Sequence, residues 1–272
     1  MNLFKKSLII LSVGLVTACG GGGDSTPTSS SVANVQQPVI SVPTTLDLKA
    51  YNDAWDKALV YKPYSSIPIK LKDLGYYSPA PVAISLHGCD GVQEPNRYLG
   101  DKYYPIFLSM QGYLVIEPDS YYGMKVGEPN SMLCYPGAMF NYNEKVTDRA
   151  RDAEYAINKV KESAFWDGKT LLVQGQSQGF HLVNWLRPEY TKGVTKWLFS
   201  GHPFNSFPFE FTHNQPTMVI NSETNLDLST SLLDKTLNKY TNIIFKLIPG
   251  DFHVPIMSPI GYDIAKEWVK LN

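Results

Sequence analysis

The chain has 272 residues, 43% hydrophobic and 18% charged, which suits an ordinary globular protein with one large domain and a substantial core. Its formal net charge is −1 and no basic run exceeds a Lys pair, so it lacks the electrostatic footprint by which a protein neutralises nucleic-acid phosphates. The patterns H-E-x-x-H, paired C-x-x-C, P-loop and G-x-G-x-x-G are absent, so the sequence implies neither a metal nor a nucleotide, and no cofactor is expected.

In chain order, Lys5 and Lys6 precede an apolar run over 8–16 that is too short to span a bilayer as a mature helix, and residues 1–18 have the pattern of a signal peptide. The following Val16-Thr17-Ala18-Cys19-Gly20 resembles a bacterial lipobox, whose cysteine thiol takes a diacylglycerol. A plain secretory signal with an incidental cysteine is the other reading. Lipid on Cys19 would hold the protein in the bacterial envelope, at the periplasmic face or the outer membrane, through two or three acyl chains, because one chain binds only marginally. Residues 19–45 are rich in Gly, Ser, Thr and Pro and read as a flexible tether, leaving 46–272 as the folded domain.

From residue 67 onward, strand and helix patterns alternate. Strands are expected over 67–71, 82–86, 113–117, 170–174, 197–200, 217–221 and 243–248, several of them continuous apolar runs suited to buried parallel strands. Helices are expected over part of 105–110 and over 143–163, 178–186, 228–240 and 260–271, the last with Ile260, Ile264, Trp268 and Leu271 on one stripe. The fold class is therefore α/β, a mostly parallel central sheet with helices on both faces. The connection 201–216 is too short for a large lid. A monomer is expected. Cys89 and Cys134 form an even pair in an exported chain and are read as a disulfide, with two separate buried thiols as the alternative.

Chemistry concentrates on Gly175-Gln176-Ser177-Gln178-Gly179. It directly follows the apolar Leu171-Leu172-Val173 and opens a helix bearing Leu182, Val183 and Leu186. A strand, a sharp turn and a helix at that spacing would expose the serine hydroxyl as a nucleophile. Such a serine needs a base. Of five histidines, His253 is best placed, after the last apolar strand and before the terminal helix. His181, His202 and His213 fit surface or supporting roles. Oxyanion donors are expected from the backbone N–H groups of Cys89, in Leu86-His87-Gly88-Cys89-Asp90-Gly91, and of Gln178.

These ordered motifs, with Gly112 to Ser120, Cys134 and Arg149-Ala150-Arg151-Asp152-Ala153, resemble the α/β-hydrolase fold family, in particular exported members of its dienelactone-hydrolase-like group. The resemblance covers 80–272 and departs at Asn225, where an Asp is usual, and at Phe180, where a small residue is usual. It implies the chain order Ser, acid, His, which puts the acid in "NSETNLDLS". Asp227 is favoured there, and Glu223 is the alternative. The implied activity is hydrolysis of carboxylic esters through an acyl-enzyme. Amide, peptide or polyester substrates, or an inactive ligand-binding lipoprotein on the same scaffold, are the alternatives. Tyr121, Tyr122, Phe180 and Phe204 are candidates to line the substrate pocket. Arg149 and Asp152, on one helix face, read as a structural ion pair or a helix–loop contact.

Overall fold

The computed structural model describes residues 45–88, 91–92, 99–120, 142–201, 214–223 and 239–271. The apolar runs pair into one eight-stranded sheet. Its strands are β1 (Leu59–Tyr61), β2 (Ile69–Lys70), β3 (Ala80–Leu86), β4 (Leu114–Glu117), β5 (Trp166–Gln176), β6 (Lys196–Ser200), β7 (Thr217–Ser222) and β8 (Ile243–Ile248). They lie in the order β2-β1-β4-β3-β5-β6-β7-β8. β1 runs antiparallel to both its neighbours, and every pair from β4 through β8 is parallel. The described residues belong to one compact unit, Pro43–Asn272.

Helices cover both faces: α1 (Thr45–Asp56), α2 (Leu99–Met110), α3 (Tyr142–Glu162), α4 (Gln178–His181) and α5 (Pro259–Val269). The period-2 alternation of strand side chains divides the core in two. Ile84, Leu86, Leu171, Val173, Trp197 and Phe199 meet Ala150, Ala153 and Ile157 of α3 on one face. Ala83, Leu172, Leu198 and Met218 meet Tyr104 and Leu108 of α2 and Ala265 and Val269 of α5 on the other. Tyr113, just before β4, ties the second layer down by donating its hydroxyl to the Val269 carbonyl at 2.7 Å. Burial pushes that phenol's pKa up, so the donor keeps its proton. α5 starts as its sequence indicates, with Ser258 capping the Gly261 N–H at 3.0 Å and Pro259 in the first turn.

The topology also marks where a ligand belongs. The chain leaves β3 for α2 on one face and leaves β5 for α4 on the other, although β3 and β5 are neighbours. Connections departing to opposite faces open a crevice outside the carboxyl ends of those two strands. The residues there are Leu86-His87-Gly88 and Gln176-Ser177.

Most expected elements are present, with several differences. β5 starts four residues earlier than its apolar run, at Trp166. The helix expected over 178–186 is four α-helical residues followed by a 3₁₀ turn, Leu182–Trp185. α2 extends on the N-terminal side of Pro105, which as the seventh residue of the helix removes one backbone donor without ending it. The helix expected over 228–240 lies outside the described residues except for its last two positions. α1 and β1 have no counterpart in the sequence reading: α1 has a weak apolar face, and a three-residue strand gives almost no alternation.

Candidate active site

At the C-terminal end of β5 the backbone bends sharply at Ser177, with φ 53° and ψ −120°. That region is closed to most L-residues, and holding a serine in it costs about 1–3 kcal/mol of strain. Packing fixes the bend. A Cβ on Gly175 would lie 2.5 Å from the Gly179 carbonyl oxygen, and one on Gly179 would lie 2.0 Å from that of Leu86. Both glycines are thus required by close backbone approach, between strand and helix and between helix and β3. The Ser177 N–H donates to the Ser200 carbonyl of β6 at 3.0 Å, and the Phe180 N–H to the Ser177 carbonyl at 2.9 Å. The turn is anchored on three sides while Ser177 itself remains half-buried.

The His253 backbone reaches this turn from beyond β8. A Cβ on Gly201, whose φ is +68°, would lie 2.2 Å from the His253 carbonyl oxygen. Gln176, the residue before Ser177, donates its side-chain N–H to the same oxygen at 3.4 Å. The His253 residue is exposed. The structure therefore brings together the Ser177 turn, the end of β6 and the His253 loop. Of the two candidate acids, Glu223 directly follows β7 and is exposed, and Asp227 lies outside the described residues. Cys19, Cys89, Cys134, Tyr121, Tyr122, Phe204, His202 and His213 lie outside them as well.

Phe180 requires a correction as a pocket residue. It is 0% exposed, inside the first core layer, and stacks on Phe199 with ring centroids 4.8 Å apart. Trp197 continues the stack against Phe199 at 5.6 Å. Phe180 therefore packs the underside of the Ser177 turn and presents no surface to a substrate.

His181, the last residue of α4, has its pKa lowered to about 3 by burial, with the Arg149 charge a second cause. It is neutral at physiological pH.

Sequence reasoning missed the arrangement around Arg149. This residue is 1% exposed. Its Nε–H donates to Ser120 Oγ at 3.0 Å, one Nη2 N–H donates to the His87 carbonyl at 2.6 Å, and Nη1 donates to Gln178 Oε1. His87, 2% exposed, has Nδ1 at 2.7 Å from the Gly88 carbonyl and Nε2 at 3.0 Å from Ser120 Oγ. Of the two contacts at Nδ1, the shorter one, to the Gly88 carbonyl, assigns the tautomer. A carbonyl can only accept, so Nδ1 carries the proton and donates to Gly88; Nε2 then accepts the Ser120 hydroxyl proton. Arg149 Nη2 lies 3.2 Å from the same Nδ1, a longer contact in which it would donate to the other tautomer. Arg149 makes the helix–loop contact and not an ion pair with Asp152. The Asp152 carboxyl has its pKa raised well above the usual value, by burial first, with the nearby Arg149 charge acting against the shift and Asp148 and Asp119 adding to it.

A signal for Arg149 was present in the sequence. It falls on the buried stripe of α3 with Val146, Ala150, Ala153, Ile157 and Val160, and a charge at a core position requires polar partners. One turn along, Glu154 performs a similar task. It holds Arg151 and accepts from Arg187 at the backbone N–H (2.7 Å) and at Nη2 (2.6 Å), fixing the segment after the 3₁₀ turn. Among the described residues, no group of three or more His, Cys, Asp or Glu side chains is placed to hold a metal ion.

No family model matches the sequence, and no curated protein sequence matches it. Similarity appears among solved structures. A dienelactone hydrolase from Anabaena variabilis is 13% identical with a TM-score of 0.51, covering 78% of this chain and 89% of that one. Est1E from Butyrivibrio proteoclasticus is 12% identical with a TM-score of 0.50, covering 78% and 90%. A Bacteroides ovatus protein assigned as a dipeptidyl aminopeptidase IV is 14% identical with a TM-score of 0.50; the match covers 78% of this chain, which spans 33% of that larger one.

Proposed function

We propose that this chain, which has the α/β-hydrolase fold, is a serine hydrolase of carboxylic esters. The observation that carries the reading is the Ser177 turn: a strained positive-φ serine between two glycines that admit no Cβ, at the crevice where β3 and β5 send their connections to opposite faces. Strain maintained by surrounding packing is characteristic of functional positions. In this reading the Ser177 hydroxyl oxygen attacks the acyl carbon and His253 takes its proton, then gives it to the departing alkoxide. Water, activated by the same imidazole, releases the acid from the acyl-enzyme. Asp227 orients the imidazole, with Glu223 as its rival, and the N–H groups of Cys89 and Gln178 receive the oxyanion.

The test is activity-based labelling combined with turnover. The purified domain, given a fluorophosphonate, is expected to gain one adduct on Ser177 and to hydrolyse p-nitrophenyl esters. Screening acyl chains of increasing length then measures pocket depth. Amide cleavage is the second reading, favoured by the similarity to the Bacteroides ovatus protein. Faster release from aminoacyl p-nitroanilides than from the matched esters would decide for it.

The protein is further proposed to act at the bacterial envelope, lipidated on Cys19 and tethered by the segment before the domain. Radiolabelled palmitate should enter the full chain and be lost in Cys19→Ser. Two thiols alkylated without reduction would rule out the proposed Cys89–Cys134 disulfide.

A further inference from the structure

The hydrogen bonds behind the crevice form a directed chain that ends at the loop expected to bind the oxyanion. Arg149 Nε–H donates to Ser120 Oγ, whose proton goes to His87 Nε2, while His87 Nδ1–H donates to the Gly88 carbonyl. That carbonyl shares its peptide group with the N–H of residue 89. Each donor in such a chain polarises the next, and more strongly where water is excluded. Arg149, His87 and Ser120 are all at most 5% exposed. The same guanidinium also fixes the Gln178 side chain through Nη1, at the first residue after the nucleophile. A second of its N–H groups holds the His87 carbonyl at the exit of β3. One buried cation thus grips both segments that border the crevice.

We infer that Arg149, acting through Ser120 and His87, is the positioning residue of the oxyanion site: it sets the distance between the β3 exit loop and Gln178 and polarises the Gly88 peptide toward the reacting oxygen. The inference rests on the proposed hydrolase reading and deepens it. Arg149 does not touch substrate. Its planar fork of donors serves three acceptors in different directions, a task a lysine ammonium cannot reproduce.

A positioning role makes a specific kinetic demand. Losing an interaction that strengthens only at the transition state lowers kcat and leaves KM nearly unchanged. Ser120→Ala removes the middle of the chain and deletes little volume, so it is the variant least exposed to folding failure. It is expected to reduce kcat by roughly 10-fold, less than the loss of a whole oxyanion donor, with KM within about 2-fold. Affinity for a trifluoromethyl ketone, which reproduces the oxyanion, should fall by the same factor as kcat/KM. Affinity for the carboxylate product should hold. Arg149→Lys should lose more activity than Ser120→Ala, and millimolar methylguanidinium should restore part of the kcat of Arg149→Ala.

Two results overturn the inference. One is Ser120→Ala with the parent's kcat and ketone affinity. The other is a variant whose ketone and product affinities fall together with its melting temperature, which would show a merely structural residue. Failure of the underlying reading is recognised separately: a parent protein that neither labels on Ser177 nor turns over any ester or amide is not a hydrolase, and the catalytic meaning of the chain falls with it.

Discussion

Two of the glycines and one aromatic give the sharpest expectations for single residues. At Gly179 a methyl group would have to sit 2.0 Å from the Leu86 carbonyl, a distance backbone cannot yield without moving α4 away from β3. Gly179→Ala is therefore expected to abolish labelling of Ser177 and to lower thermal stability, measured by differential scanning calorimetry. Gly201→Ala tests a different contact, because its methyl would displace the His253 carbonyl from 2.2 Å. It should lower kcat at least about 100-fold, in the range of a lost catalytic interaction, while the fold is retained as judged by circular dichroism. Phe180→Ala separates packing from substrate contact. Buried at 0% exposure against Phe199, it should lose about 3–5 kcal/mol in a urea titration, with KM of the surviving folded protein unchanged. The acid is decided by comparing Asp227→Asn with Glu223→Gln. The reading expects kcat to collapse only in the first, and collapse only in the second would transfer the role to Glu223.

At the scale of elements, α3 connects the sheet, the exit of β3 and the Ser177 turn. Arg149 serves one end of this connection, and Arg151 with Glu154 serves the next turn. Glu154 is 2% exposed and holds two arginines, so Glu154→Ala strands the buried Arg151 cation and should cost about 3–5 kcal/mol. How much was legible in the sequence follows from the range of the interactions. β8 and the cores of β3, β5, β6 and β7 are apolar runs of strand length, so local pattern located them. The Gly-x-Ser-x-Gly turn was likewise legible because its constraints act over five residues. For Arg149 the sequence indicates a structural ion pair or a helix–loop contact without naming the loop partners, because Ser120, Gln178 and His87 stand 29, 29 and 62 positions away. The shortening of α4 escaped the periodicity for a similar reason. Leu182, Val183 and Leu186 fit a helix, but Arg151 bonding the Trp185 carbonyl and Glu154 bonding the Arg187 N–H pull the chain out of it.

For the whole molecule, two buried titrating groups give opposite contributions to stability against pH. His181 titrates at about 3 in the folded state against 6.5 when exposed. Between those values the unfolded chain binds the extra proton, so this contribution is fully present above pH 6.5 and is lost as pH falls toward 3. Asp152 behaves the other way. Its folded pKa lies above 3.8, so its contribution is present below pH 3.8 and is lost as pH rises through the folded value. Chemical denaturation of Asp152→Asn and the parent across pH should therefore show the variant gaining relative stability as pH increases, and an unchanged difference would contradict the assignment. No helix of the described residues is long and apolar enough to cross a membrane.

The central claim is that the strained serine at the β3–β5 crevice is a nucleophile activated by His253. Its most direct test is intact-mass and peptide mapping of the folded protein after exposure to a fluorophosphonate, alongside His253→Ala and Ser177→Ala. A single adduct on Ser177 in the parent, greatly slowed in His253→Ala and absent in Ser177→Ala, is the predicted result. A folded parent that takes up no adduct on Ser177, or one labelled as fast without His253 as with it, would contradict the account.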